Sequence, residues 1–111
     1  MKKTLALILL ASAFAGAASL GYAATAAENW DNNCAKCHGA DGSGNTKIGK
    51  KLKLKDYTNA DVQAALKDDE MAKAIKDGVT EDGKEKMKAF KGDLSDTEIT
   101  ELVAYIRQMK K

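Results

Sequence analysis

"CAKCHGADGSGNT", residues Cys34–Thr46, carries both cysteines and the single histidine of this 111-residue chain within its first five positions. Cys34, Cys37 and His38 form a C-x-x-C-H pattern. Two thiols three residues apart on a helical turn share a face, and the imidazole that follows projects beside them. The pattern is that of covalent c-type haem attachment, in which each thiol adds to a vinyl group of the porphyrin and the imidazole reaches the iron.

Three other readings of the same residues compete. A thioredoxin-like redox pair is also C-x-x-C, but it belongs with a βαβ pattern, and the chain shows none. A closed structural zinc site takes four ligands, so one histidine and two cysteines would have to recruit carboxylates. A disulfide between Cys34 and Cys37 suits an oxidising compartment but leaves His38 without a role. The glycines that follow, in "GADGSGNTKIG", let the backbone turn sharply and pass close to a flat ligand. They do not form a calcium loop, because Asp41, Ser43 and Asn45 lead to Leu52 rather than glutamate at the twelfth position. Nor do Gly42 and Gly44 extend to the third glycine of a dinucleotide-binding turn.

Upstream, Lys2 and Lys3 precede the apolar, small-residue run "TLALILLASAFAGAASL", and "GYAATAAEN" follows it. That order marks an export signal over residues 1–23, cut after Ala23 with Gly21 and Ala23 as the small residues; cleavage after Ala26 is the alternative. An uncleaved membrane anchor is the competing reading, but the run is short and alanine-rich for a stable span. Residues 24–111 then form one domain, exported to the periplasm. Losing Lys2 and Lys3 brings the 18 basic residues to parity with the 16 acidic ones, so net charge gives no ground for nucleic-acid binding. The domain keeps only Trp30, Tyr57, Phe90 and Tyr105 as aromatics. So few large apolar side chains make a marginal core, which a bound group would complete.

Helical signals dominate the domain. Ala24 to Asn33 reads as a short helix leading into Cys34. In "TNADVQAALKDD", Thr58 stands three residues ahead of Asp61 in a capping-box-like start, with Val62, Ala65 and Leu66 at helical spacing. "DEMAKAIKDG" sets Met71, Ala74 and Ile75 on one face and stops at Gly78. Ser95 and Glu98 frame the last helix, whose Ile99, Leu102, Val103, Ile106 and Met109 form one apolar stripe. Two long loops remain, over residues 39–57 and 79–92, with no useful strand alternation. Loops of that length in a compact domain serve a function, here enclosing a ligand. The class read from these signals is all-α.

With these features in place, nearly all of residues 24–111 resembles the small bacterial class I cytochromes c. Trp30 matches that family's aromatic residue four positions before the first cysteine. Leu102 and Tyr105 match the Leu-x-x-aromatic pair of its final helix, which packs on the first. "MKAFKGDLSDTEITELVAYIR" resembles the Met-Pro-Ala-Phe loop that leads into that helix. The resemblance implies the class I cytochrome c fold, with short helices and long loops wrapped around one covalently bound haem c. It also implies Cys34 and Cys37 as thioether attachments, with His38 as proximal and Met87 as distal iron ligand. The chain departs from the family in three places. Ala26 stands at a usual glycine, Gly49-Lys50-Lys51-Leu52 replaces glycine-proline-x-leucine, and Met87-Lys88 replaces methionine-proline. With no proline anywhere, both ligand loops lose a φ restraint. A backbone carbonyl near Lys50 remains available to accept from His38 and fix its tautomer. Met71 and Met109, on apolar helix faces, are expected to pack the core, as are Trp30 and Tyr105.

The implied function is a soluble, monomeric, periplasmic one-electron carrier between redox proteins, with no catalytic residue. His/Met ligation saturates the iron and leaves no position for a substrate. A haem enzyme or gas sensor with an open distal site is the alternative, although a peroxidase-like enzyme would want a distal histidine and His38 is already committed. An electron-donating subunit held in a larger complex is a third reading. Lys47, Lys50, Lys51, Lys53 and Lys55 lie in the first loop, and Lys84, Lys86, Lys88 and Lys91 surround Met87, whereas Asp68, Asp69 and Glu70 lie apart. These lysines read either as a solvated surface or as a positive collar that steers the chain onto acidic partners.

Overall fold

The computed structural model describes residues 24–111, and the expected export signal over residues 1–23 lies outside them. Thr25 Oγ1 accepts the Glu28 N–H at 3.2 Å and starts α1 (Ala26–Asn33). The helix breaks at Cys34, where φ is −120° and the N–H still donates to Trp30 O at 2.8 Å. A single further turn, α2 (Ala35–His38), carries the rest of the motif.

The last helix of the chain, α6 (Asp96–Arg107), is the packing centre. Its start is the expected capping box: Glu98 N donates to Ser95 Oγ and Ser95 N to Glu98 Oε1, each at 3.1 Å. Ile99, Leu102, Val103 and Ile106 of its apolar stripe are buried, with Leu102 at 0% and Trp30 of α1 at 1% exposure. Complete burial of one such side chain stabilises by about 1.5–3 kcal/mol, so the packing of α1 on α6 holds the two ends of the described domain together. Asn29, also buried, ties the same helices by donating Nδ2 to Glu98 Oε2 at 2.9 Å.

The two expected loops contain structure of their own. The first holds α3 (Lys47–Leu52), capped by Thr46, whose Oγ1 accepts from Gly49 N at 2.8 Å and donates to Cys37 O at 2.6 Å. Gly49 touches the Gly44 carbonyl, and a Cβ there would lie 2.8 Å from Cys37 O, so only glycine lets α3 press against the motif turn. Next comes α4 (Ala60–Ala65), which starts one residue later than the sequence suggests. Asn59 is its cap, accepting from the Asp61 and Val62 N–H groups, because Thr58 is engaged by Asp56 through Oγ1 at 2.6 Å. After it, α5 (Asp68–Asp77) has no side-chain cap but carries Asp68, Asp69 and Glu70 in its first turn, where carboxylates favour the helix dipole. α5 packs on α6 and ends, as expected, at Gly78.

The second loop contains the one clear departure from an all-helical reading. β1 (Val79–Glu81) and β2 (Lys84–Met87) pair antiparallel across Asp82-Gly83. Both turn residues have positive φ, 51° and 74°, as a tight hairpin turn requires. No apolar alternation announces these strands because most of their residues are charged and exposed; Asp-Gly was the available signal. The register pairs Glu81 with Lys84, Thr80 with Glu85 and Val79 with Met87, leaving Lys86 as the extra residue of a bulge. The domain remains mostly helical, with this small hairpin added. Among the described residues no helix is long and apolar enough to cross a membrane.

Candidate functional site

A cavity of about 700 Å³ opens in the middle of the domain, within the range of about 300–1,000 Å³ that cofactor sites occupy. Cys34, Cys37, His38 and Met87 all line it. Its lining includes the fully buried Trp30 and Leu102, together with Leu52, Leu54, Tyr57, Met71, Ile75 and Phe90. A close-packed domain does not keep a hole of this size among aromatic and aliphatic side chains unless another group fills it.

The motif turn presents the two thiols as a pair. Cys37 N and His38 N both donate to Cys34 O, at 3.2 and 3.0 Å, so one turn of helix separates the sulfurs. Both cysteines are free. Burial, reinforced by the neighbouring Cys37, pushes the Cys34 thiol up to about 11. A protonated, buried thiol is the opposite of the low-pKa thiolate that a thioredoxin-like redox pair uses. No cluster of three or more histidine, cysteine or acidic residues able to hold a metal ion occurs among the described residues, which disfavours the zinc reading.

Burial lowers the His38 pKa, which keeps the imidazole neutral and available as a lone-pair donor. The expected acceptor near Lys50 is not found: His38 Nδ1 is buried without a hydrogen-bond partner among the described residues. Without the usual proline, α3 continues through Lys50 and Lys51, and the carbonyls of Gly49 and Lys50 are turned to the helix end, where Lys53 N donates to Lys50 and Leu54 N to Gly49. The imidazole instead meets two aromatic rings. Tyr57 stacks on it at 5.4 Å between centroids and 23° between planes, and Trp30 lies at 5.6 Å and 43°. Trp30 is itself fixed by its Nε1–H, which donates to Gly39 O at 2.9 Å.

Met87 reaches the cavity from the end of β2 and is half-buried. Its segment is pinned to the end of α5: Phe90 N donates to Ile75 O at 2.9 Å and Lys91 N to Lys76 O at 3.1 Å. Those bonds supply the restraint that the missing proline does not. Met71, expected as core, is buried at 7% exposure and also lines the cavity; Met109 packs on Gly42 instead. Of the lysines, Lys53, Lys55, Lys86 and Lys88 reach the cavity wall or rim, accompanied by Glu70 and Glu81. Lys88 is occupied by Asp93 at 2.9 Å and lies over the Phe90 ring.

Sequence reasoning assigned no role to Tyr57 or Gln63. Gln63 is buried and donates Nε2 to the carbonyls of Tyr57 and Ile106, at 2.7 and 2.8 Å, while its Oε1 accepts from Arg107 at 3.1 Å. A lone tyrosine in a lysine-rich loop was the one hint; a glutamine on a helix gives none.

The family described as "Cytochrome C oxidase, cbb3-type, subunit III" matches residues 21–106. Among solved structures, one named KustC0563 c-type cytochrome superposes with a TM-score of 0.71 at 30% identity, covering 79% of this chain and 100% of its own. A variant of that protein with a tyrosine replaced by phenylalanine gives 0.68 at 29% identity, covering 78% and 100%. The comparison with curated proteins finds no match.

Proposed function

Because this chain belongs to the c-type cytochrome family that includes cbb3-type oxidase subunit III and so carries covalently bound haem c, we propose that it is an exported mono-haem carrier of single electrons between redox proteins. The observation that carries this reading is the convergence of Cys34, Cys37, His38 and Met87 on one apolar cavity. Bound there, the haem supplies a one-electron couple at its iron.

Each residue has a part that its surroundings support. The Cys34 and Cys37 thiols, one turn apart, would form the two thioether links by adding to the porphyrin vinyl groups. Neutral His38, on the motif turn, would offer its lone pair to the iron, and Met87, at the end of β2, would offer its thioether sulfur. With His38 and Met87 both serving as ligands, the iron would have no place for a substrate, and thioether ligation would raise its potential. The apolar wall of Leu52, Leu54, Ile75 and Phe90 excludes water and so disfavours accumulated charge, which acts in the same direction. Lysines at the rim steer acidic partners toward the cavity mouth. No proton transfer or nucleophile is needed, so the reading is of a carrier and not an enzyme. The leader over residues 1–23 supports export to the periplasm, where haem attachment to C-x-x-C-H is completed.

Optical and redox titration of the purified holoprotein tests this. Low-spin, six-coordinate iron with a sulfur-to-iron band is expected, and Met87→Ala should abolish that band, lower the potential and admit carbon monoxide. A high-spin wild-type protein that binds carbon monoxide directly would instead support the open-site enzyme or sensor.

The family description favours a second reading, an electron-donating subunit fixed in a larger assembly. Recovery of the chain only within such an assembly after gentle extraction supports it, and recovery as a monomer supports the free carrier.

A further inference from the structure

His38 lacks the contact that usually orients a metal-bound imidazole. Such histidines donate their second ring N–H to a carbonyl or carboxylate, which fixes the ring plane and raises the basicity of the ligating nitrogen. Here Nδ1 is buried with no partner among the described residues. Something else must hold the ring, and the nearest aromatic plane to it is Tyr57, at 5.4 Å and only 23° from parallel.

Tyr57 is fixed independently of the imidazole. Its N–H donates to Gly42 O at 2.9 Å, and its carbonyl accepts from Gln63 Nε2 at 2.7 Å. Gln63 is anchored in turn to Ile106 O and to Arg107 of α6. Gly42 lies close to the Tyr57 Cβ, at 3.4 Å from where a Cβ on the glycine would stand. The main chain that carries the ring is therefore tied to the frame formed by α4 and α6, independently of the histidine.

We propose that Tyr57 is a positioning residue for His38, its stacked ring setting the plane of the imidazole in place of the missing Nδ1 hydrogen bond. The proposal rests on the reading of His38 as an axial ligand. Its consequence is a weaker electron donor than a hydrogen-bonded imidazole, with an orientation that depends on the Tyr57 ring and not on its hydroxyl.

The test compares Tyr57→Phe, which keeps the ring, with Tyr57→Leu, which removes it, both as holoprotein. Electron paramagnetic resonance g-values and the pattern of haem-methyl proton shifts in the oxidised protein read the orientation of the axial ligands. Tyr57→Phe should reproduce the wild-type values. Tyr57→Leu should shift both while its optical spectrum stays low-spin and six-coordinate. If Tyr57→Leu does not take up haem, Tyr57→Met, closer in volume and still without a ring, gives the same comparison. Wild-type g-values and methyl shifts in the ringless variant overturn the proposal. Equal shifts in the Phe and ringless variants also overturn it, because they assign the effect to the hydroxyl. His38→Ala separates the underlying reading: an unchanged low-spin spectrum in that variant removes His38 as the ligand, whatever Tyr57 does.

Discussion

The backbone carbonyl of Met87 lies against Gly78, so close that a Cβ on the glycine would sit 2.6 Å from the oxygen. Gly78 has φ 75° and ψ −177°, a conformation held almost only by glycine. It ends α5 and lets the returning strand press its Met87–Ala89 backbone onto the helix terminus. Gly78→Ala is expected to destabilise by about 1–3 kcal/mol from backbone strain alone, and to push the Met87 segment away from the cavity. Thermal unfolding of the holoprotein measures the first effect, and carbon monoxide binding the second. A wild-type melting temperature with no carbon monoxide binding would show that the contact constrains nothing.

The cavity also bears on folding. About 700 Å³ of space is lined by residues of α1, α2, α5 and the hairpin, and among the described residues the buried apolar set includes only two aromatics, Trp30 and Phe90. A double Cys34→Ala, Cys37→Ala chain, which cannot hold haem covalently, should therefore be largely unfolded and protease-sensitive. Native-like helical circular dichroism with a cooperative transition in that chain would show that the protein core suffices without the cofactor.

What the sequence made legible follows from how local each signal is. The Ser95–Glu98 box, the stripe from Ile99 to Ile106 and the stop at Gly78 are each written within a few residues, and each appears as read. C-x-x-C-H is equally local. The hairpin was hidden because exposed, charged strands need no apolar alternation, and only Asp82-Gly83 betrays the turn. α3 was hidden because its pressure against Cys37 O depends on Gly49 having no side chain. Gln63 was beyond reach, since its partners Tyr57, Ile106 and Arg107 come together only in the fold. The unpartnered Nδ1 of His38 is likewise a tertiary fact, and the absent proline gave only its general direction.

Met71 provides the sharpest contrast to Met87, because both sulfur-bearing side chains line the same cavity. Met71 is held within α5 and buried at 7% exposure, among the residues that pack on α6. Met71→Ala should lower stability by about 2–5 kcal/mol and leave the iron six-coordinate with its sulfur band intact. Met109→Ala, beside Gly42, should behave in the same way with a smaller loss. Disappearance of the band in Met71→Ala, with its retention in Met87→Ala, would exchange the roles of the two methionines.

Charge at the cavity mouth decides between a solvated surface and a steering collar. Lys88 is already paired with Asp93, which leaves Lys53, Lys55 and Lys86 as lysines at the cavity without an ion pair among the described residues. They come from two separate segments, Lys55 after α3 and Lys86 at the bulge of β2. Lys110 and Lys111 carry the same charge at the exposed end of the chain and do not line the cavity. Reversing Lys55 and Lys86 to Glu should slow electron transfer to an acidic acceptor by about tenfold or more at low ionic strength. The difference should shrink as salt shortens the screening length to about 8 Å or less. Reversing Lys110 and Lys111 changes the net charge by the same amount, so it isolates position from total charge. Stopped-flow rates across a salt series for both double variants make the comparison. If the two pairs slow the reaction equally at every salt concentration, only net charge matters, and the rim lysines are ordinary solvated surface.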